Sequence, residues 1–142
     1  MLLLWFVALV AFTLSVFSRF VVELFLDSRI SILGSFAGLE RSVNRGVAFG
    51  ITFAPTVQII LIVAALFAIV WLAERGAHTF TEHTGFGLIV GGGLANIIDR
   101  IGDGTVTDFI QVGSFPVFNI ADCCITVGVV LLLWEMVTKE RR

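Results

Sequence analysis

Three carboxylates and three amides in this chain fall where they can meet. Asn96, Asp99 and Arg100 stand at i, i+3 and i+4 near the end of one apolar run, and Asn119 and Asp122 repeat the i, i+3 spacing near the start of the next. Such spacing puts each set on one helix face. Asp108 lies in the connection between those runs, and Asn44 in an earlier connection at the same end. Two carboxylates held close cannot both ionise comfortably, so they share a proton; one can then take a proton from water while the other gives one up. That is aspartic-protease chemistry, and it needs neither a Ser or Cys nucleophile nor a metal. Asp99, followed directly by Arg100, reads as half of an ion pair. Asp108 and Asp122 have no cation beside them in sequence and make the better pair. The asparagines can orient those carboxylates or merely cap helices, and spacing alone leaves open a proton or ion path through the same groups.

The chain around these residues is unusually apolar. Its 142 residues are 58% hydrophobic and 14% charged, with a mean hydropathy of +1.03, where an ordinary soluble domain is roughly 25% charged. A water-soluble globule is excluded. The net charge of -2, with no basic block longer than Arg141-Arg142, gives no footprint for nucleic acid. Cys123 and Cys124 are adjacent, which suits neither a disulfide framework nor spaced zinc ligands, and they read as inert helix residues. His78 and His83 flank Glu82 but lack a thiolate or third imidazole to complete a metal site; a solvated loop is the expectation there, and no cofactor is implied.

A bilayer-spanning helix takes about 20 apolar residues, and the chain offers four such spans, at 2–18, 56–73, 84–101 and 116–137. The first is taken to end where Arg19 appears. It lacks the basic start and small-residue cleavage site of a signal peptide, and reads as a retained helix. The third is short and rich in glycine (Gly85, Gly87, Gly91, Gly92, Gly93), which points to close helix contact. Pro116 suits the first turn of the fourth, which would put Asp122 two turns in, roughly 9 Å along the axis. No repeat or linker divides the chain, so 1–142 reads as a single membrane-embedded domain. Four spans put both termini and the loop from Glu74 to His83 on one side, with the loops from Arg19 to Arg45 and from Asp99 to Phe115 on the other. Charge does not orient them: Arg75, Lys139, Arg141 and Arg142 oppose Arg29, Arg41, Arg45 and Arg100.

The ordered blocks Asn44-Arg-Gly-Val-Ala-Phe49, Gly92-Gly-Leu-Ala-Asn-Ile-Ile-Asp-Arg100, Val106-Thr-Asp-Phe109 and Phe118-Asn-Ile-Ala-Asp122 resemble the signature of bacterial lipoprotein signal peptidase, the signal peptidase II family. The resemblance implies an all-α integral membrane protein of four transmembrane helices with a small extracytoplasmic β-cradle formed by loops 1 and 3, and a membrane-surface lid. The cradle and lid would come from the segments Asp27 to Pro55 and Thr105 to Pro116. It implies an intramembrane aspartyl endopeptidase that removes the signal peptide of a prolipoprotein, cutting before the cysteine that already carries diacylglycerol. Asp108 and Asp122 would be the catalytic pair, with Asn44, Asn96, Asp99, Arg100 and Asn119 supporting the site. The implied setting is the bacterial cytoplasmic (inner) membrane, with both termini cytoplasmic and the site near the extracytoplasmic face. The implied partners are prolipoprotein signal peptides carrying diacylglyceryl-cysteine, membrane lipid and cyclic-peptide inhibitors such as globomycin. The protein would be a monomer.

Two departures from the family pattern stand out. An acidic residue usual near the end of the first helix is replaced in Ser15-Val-Phe-Ser-Arg19, and the stretch from Asp108 to Phe118 is a few residues short. Neither touches the pair. They keep in view a non-catalytic homologue that binds lipoproteins or cyclic peptides. A proton-coupled transporter would need polar residues in both halves of the membrane, and the stretches Ala64 to Trp71 and Thr126 to Trp134 have almost none.

Overall fold

The computed structural model describes residues 1–46 and 54–139. The last three residues of the block from Asn44 to Phe49, the part at 47–53 of the Asp27 to Pro55 segment expected to contribute to the cradle and lid, and the arginines at 141–142 lie outside the described residues. The element order is α1 (Leu2–Phe25), β1 (Ile30–Leu33), β2 (Ala37–Asn44), α2 (Pro55–Gly76), α3 (Phe80–Asp103), β3 (Val106–Val112) and α4 (Ile120–Lys139). Three of these helices, α1, α2 and α4, are long and apolar enough to cross a membrane. The chain is an integral membrane protein.

The fourth helix, α3, lies among the others, and its glycines explain how. A methyl group built on Gly87 would stand 2.6 Å from the Leu4 carbonyl oxygen, and one on Gly91 would collide with the Ala8 carbonyl. Both contacts are with α1, whose buried stripe of Leu4, Ala8, Ala11 and Ser15 keeps helical spacing. Gly92 meets the Ala121 carbonyl of α4 at 2.6 Å, and Gly93 meets Leu66 of α2 at 2.7 Å, measured from the same notional methyl. Three faces of α3 are therefore pared to backbone, each for a different neighbour.

Each helix differs at its ends from the expected span. Arg19 does not terminate α1, because its charge is met by Glu23 at i+4, 2.9 Å away, and by Asp99; the helix continues to Phe25 and carries the sheet on its last turns. A capping box starts α3 before its first apolar residue: Glu82 N–H donates to Thr79 Oγ1 at 3.1 Å, and Thr79 N–H to Glu82 Oε2 at 2.9 Å. His83 consequently lies in a helix rather than in the expected loop. Asp99 belongs to α3 as its spacing with Asn96 predicts, and the helix runs past the expected end at 101 to Asp103, capped by Gly104 in the left-handed conformation at φ 78° that glycine adopts without strain. Pro116 is not in the first turn of α4. Pro116 and Val117 have no regular structure, Phe118 bridges back to Ile110, and the helix begins at Ile120.

The three strands form one antiparallel sheet in the order β1-β2-β3, so loops 1 and 3 both contribute to it. The β1-β2 hairpin turns at Gly34, φ 56°, and β2 pairs with β3 through Ser42 opposite Asp108 and Asn44 opposite Val106. Val22 and Leu26 at the end of α1 pack with Phe109 of β3, with Leu39, Ile110 and Ile120 around them. That cluster seats the sheet on the helices at the end where α3 stops and α4 starts.

Candidate active site

Asn119 is where the site is assembled. Its Oδ1 accepts the Asp122 N–H at 2.9 Å while its own N–H donates to Asp122 Oδ2 at 3.3 Å, the reciprocal pattern that caps a helix N-terminus. This cap moves Asp122 into the first turn of α4, not two turns along it. With Oδ1 committed to the backbone, the Asn119 amide nitrogen must face the other way. It donates to Asp108 Oδ1 at 2.8 Å and to Asn96 Oδ1 at 3.2 Å. Asn96 in turn donates from Nδ2 to Asp122 Oδ1 at 3.0 Å. Asn44 is oriented in the same way: its Oδ1 accepts the Gly46 N–H at 2.8 Å, and its Nδ2 donates to Asp108 Oδ2 at 2.9 Å. Asp108 and Asp122 are thus joined by amides whose directions the backbone has fixed.

The two carboxylates have unlike surroundings. Asp108, on β3, is 2% exposed and lies behind the asparagines. Burial pushes its carboxyl up to about 6, reinforced by the nearby Asp122 charge and opposed by the Asn44 and Asn119 hydrogen bonds and the Arg100 charge. Asp122 is less buried and lines a groove of about 700 Å³ between α2, α3 and α4. Asn44, Asn96 and Arg100 share the polar end of that groove, and Ile62, Phe118, Ile125 and Val127 its apolar length. Such a pair can hold a proton on its buried member while the other meets water or substrate.

Asp99 and Arg100 both reach this region but do not pair with each other as expected. Adjacent residues on a helix point about 100° apart, and the two go to different partners. Asp99 accepts the Thr107 N–H at 2.7 Å and pairs with Arg19, tying α1, α3 and the start of β3 together. Arg100, 4% exposed, donates from Nη2 to the Gly46 carbonyl at 2.7 Å, from Nη1 to the Asn96 carbonyl at 3.1 Å and from Nε to Gln58 Oε1 at 3.3 Å. Arg19, Thr107 and Gln58 were not among the residues expected here. Ser15 is buried, donates to the Ala11 carbonyl at 2.8 Å, and lines a cavity of about 20 Å³ with Arg19, Asp99 and Asn119. No group of His, Cys, Asp and Glu able to hold a metal occurs among the described residues.

A family model described as signal peptidase (SPase) II matches residues 7–138. The chain belongs to the signal peptidase II family. It is 37% identical over 122 residues to the lipoprotein signal peptidase of Chlorobium luteolum, covering 76% of this chain and 73% of that relative. With the lipoprotein signal peptidase of Caldicellulosiruptor bescii it shares 37% identity over 142 residues, 96% of this chain and 91% of the relative. Among solved structures, a bacterial membrane enzyme determined by the in meso method at 2.3 Å superposes with a TM-score of 0.87 at 26% identity, covering 95% of this chain and 87% of the other. A second, at 1.9 Å, gives 0.83 at 27% identity, with 92% and 90% covered. Membership in the signal peptidase II family makes the chain a peptidase.

Proposed function

We propose that this protein removes the signal peptide from diacylglyceryl-modified prolipoproteins, cutting before the lipidated cysteine, with Asp108 and Asp122 as its catalytic pair. The observation that carries the reading is the double role of Asn119, which caps the helix bearing Asp122 while donating to Asp108, beside a groove that is polar at the carboxylates and apolar beyond them. A substrate of that kind is itself divided, with an apolar signal helix, a lipidated cysteine and a polar bond between them. Water held between the carboxylates loses a proton to Asp122 as its oxygen attacks the scissile carbonyl carbon, and the Asp108 carboxyl gives its proton to the carbonyl oxygen. When the tetrahedral intermediate collapses, the carbonyl re-forms, Asp108 recovers its proton, and the proton held by Asp122 leaves with the amine. No acyl-enzyme forms. Asn44, Asn96 and Asn119 keep the carboxylates in register, and Asp99 and Arg100 hold the surrounding elements.

On this reading all four helices span the membrane as one domain, α3 being shielded from lipid by its neighbours. Both termini are cytoplasmic, the sheet and the carboxylates lie at the extracytoplasmic face of the inner membrane, and the protein acts as a monomer. Cyclic-peptide inhibitors such as globomycin would fill the groove. Purified protein incubated with a diacylglyceryl-modified prolipoprotein should release the intact signal peptide, read by mass spectrometry of the fragments; an intact substrate would reject the reading. A cysteine at Ser114, in a Cys123→Ala, Cys124→Ala background, should react with an impermeant thiol reagent in intact spheroplasts. Reaction only after lysis would invert the topology.

A further inference from the structure

Buried amides inside apolar helices are expensive at membrane depth, and α2 carries one in Gln58. It is 1% exposed, and each end of its amide is tied to a different part of the site. Nε2 donates to the Arg45 carbonyl at 2.9 Å, and Oε1 accepts from Arg100 Nε at 3.3 Å. From these two bonds the connections run on to both carboxylates. On one side, Arg45 and Gly46 follow Asn44, and the Gly46 N–H holds Asn44 Oδ1 so that Nδ2 reaches Asp108. On the other, Arg100 grips the Asn96 carbonyl, and Asn96 reaches Asp122. The remaining packing of α2 makes the amide more consequential: the helix lies against α3, with no comparable contact to α1 or α4 among the described residues. Ile62, one turn beyond Gln58, forms the α2 wall of the groove.

We propose that Gln58 is a positioning residue for the cleavage reaction, registering α2 to the Arg100 guanidinium and to the strand end that carries Asn44. This rests on the peptidase reading above. An amide that was only a satisfied core group would contribute stability and nothing more. A positioning amide also sets how closely Arg100 approaches the carboxylates, and Arg100 is one of the charges that governs Asp108. The groups facing Asp108 are Asp122 from α4, which raises its proton affinity, and Arg100 from α3, which lowers it, with hydrogen bonds from Asn44 and Asn119.

The test compares Gln58→Met, which keeps side-chain length but loses the bonds to Arg45 and Arg100, with Gln58→Glu, which keeps an acceptor for Arg100 and loses the donor to Arg45. Leu66→Ala, which loosens the packing of α2 on Gly93, serves as the stability control. All are assayed on a synthetic diacylglyceryl lipopeptide for kcat, KM, pH profile and Tm. Gln58→Met should lower kcat about tenfold or more, the scale of a small misplacement remote from the bond being broken. KM should stay within about twofold. Its alkaline limb should move to higher pH as Arg100 draws away from Asp108. Gln58→Glu should fall between it and the parent, and Leu66→Ala should lower Tm without moving the limb. Gln58→Met with the parent's kcat and pH limb would overturn the proposal whatever its Tm. Should that variant fail to accumulate, a parental kcat and limb in Gln58→Glu would overturn it equally. A parent that leaves the lipopeptide intact overturns the peptidase reading and this one with it; a parent that cleaves beside an equally active Gln58→Met overturns only the role of Gln58.

Discussion

α2 and α3 are both long helices in an apolar chain, yet they solve opposite problems. α2 is uniformly apolar over most of its length and exposes large side chains such as Ile60 and Phe67. α3 has glycines where a lipid-facing helix would have leucines, and buries Asp99 and Arg100. It fails the hydropathy test that α1, α2 and α4 pass. A helix enclosed by three others exposes little surface, so its sequence is free to serve backbone approach on its faces and chemistry at its end. α2, packed on one neighbour, keeps a lipophilic surface and contributes the single amide of Gln58 to the site.

That contrast is broken most severely by closing the glycine contact. Gly91→Leu drives a side chain into the Ala8 carbonyl and the Ala11 side chain of α1, and should cost about 3 kcal/mol or more, enough to lose most folded protein in size-exclusion profiles. Ile60→Ala, at a side chain of α2 that is 60% exposed, should leave the profile unchanged. A monodisperse, parent-like Gly91→Leu would show that α1 and α3 do not meet as described. Next in size is Asp99→Asn, which leaves Arg19 and the Thr107 N–H with a weaker partner; it should lower stability by about 1–3 kcal/mol and activity with it, because β3 carries Asp108. If the variant keeps the parent's thermal midpoint and is inactive, Asp99 belongs with the reacting groups instead.

Much of the site was legible because ionisable and amide residues are conspicuous in apolar runs. Asn96, Asp108, Asn119 and Asp122 do converge, and Asn44 joins them. The errors have local physical causes. Adjacency suggests that Asp99 and Arg100 pair, but consecutive helical residues diverge. Pro116 was a plausible helix start, but Asn119 caps more strongly and leaves Phe118 free to bridge to Ile110. Arg19 looks like a helix boundary because its partner Asp99 is distant in sequence. Gln58 carried no signal at all, since its partner Arg100 is 42 positions away and a lone amide in an apolar run has no pattern to betray it. The sheet was implied by family resemblance rather than by alternation, since β1 is exposed throughout and β3 is mostly buried.

A smaller effect comes from the buried carboxyl. Asp108 holds its proton up to about 6 against an ordinary 3.8, so in the free protein the alkaline limb of kcat/KM should inflect near that pH, and that of kcat higher once an apolar substrate excludes more water. The sign for stability follows. A carboxyl whose folded value is raised contributes stability fully below its unfolded value and loses it as pH rises through the folded one. Asp108→Asn should therefore gain thermal midpoint relative to the parent between about pH 4 and 7. A constant difference over that range would mean that Asp108 is ionised throughout.

The paired-carboxylate account stands or falls on Asp108→Asn and Asp122→Asn, purified, reconstituted and given the diacylglyceryl-modified prolipoprotein, with fragments counted by mass spectrometry. Each substitution keeps shape and removes one proton site, and each should cut turnover by about 10²–10⁴ with the protein still folded. Substantial cleavage by either variant would contradict the account.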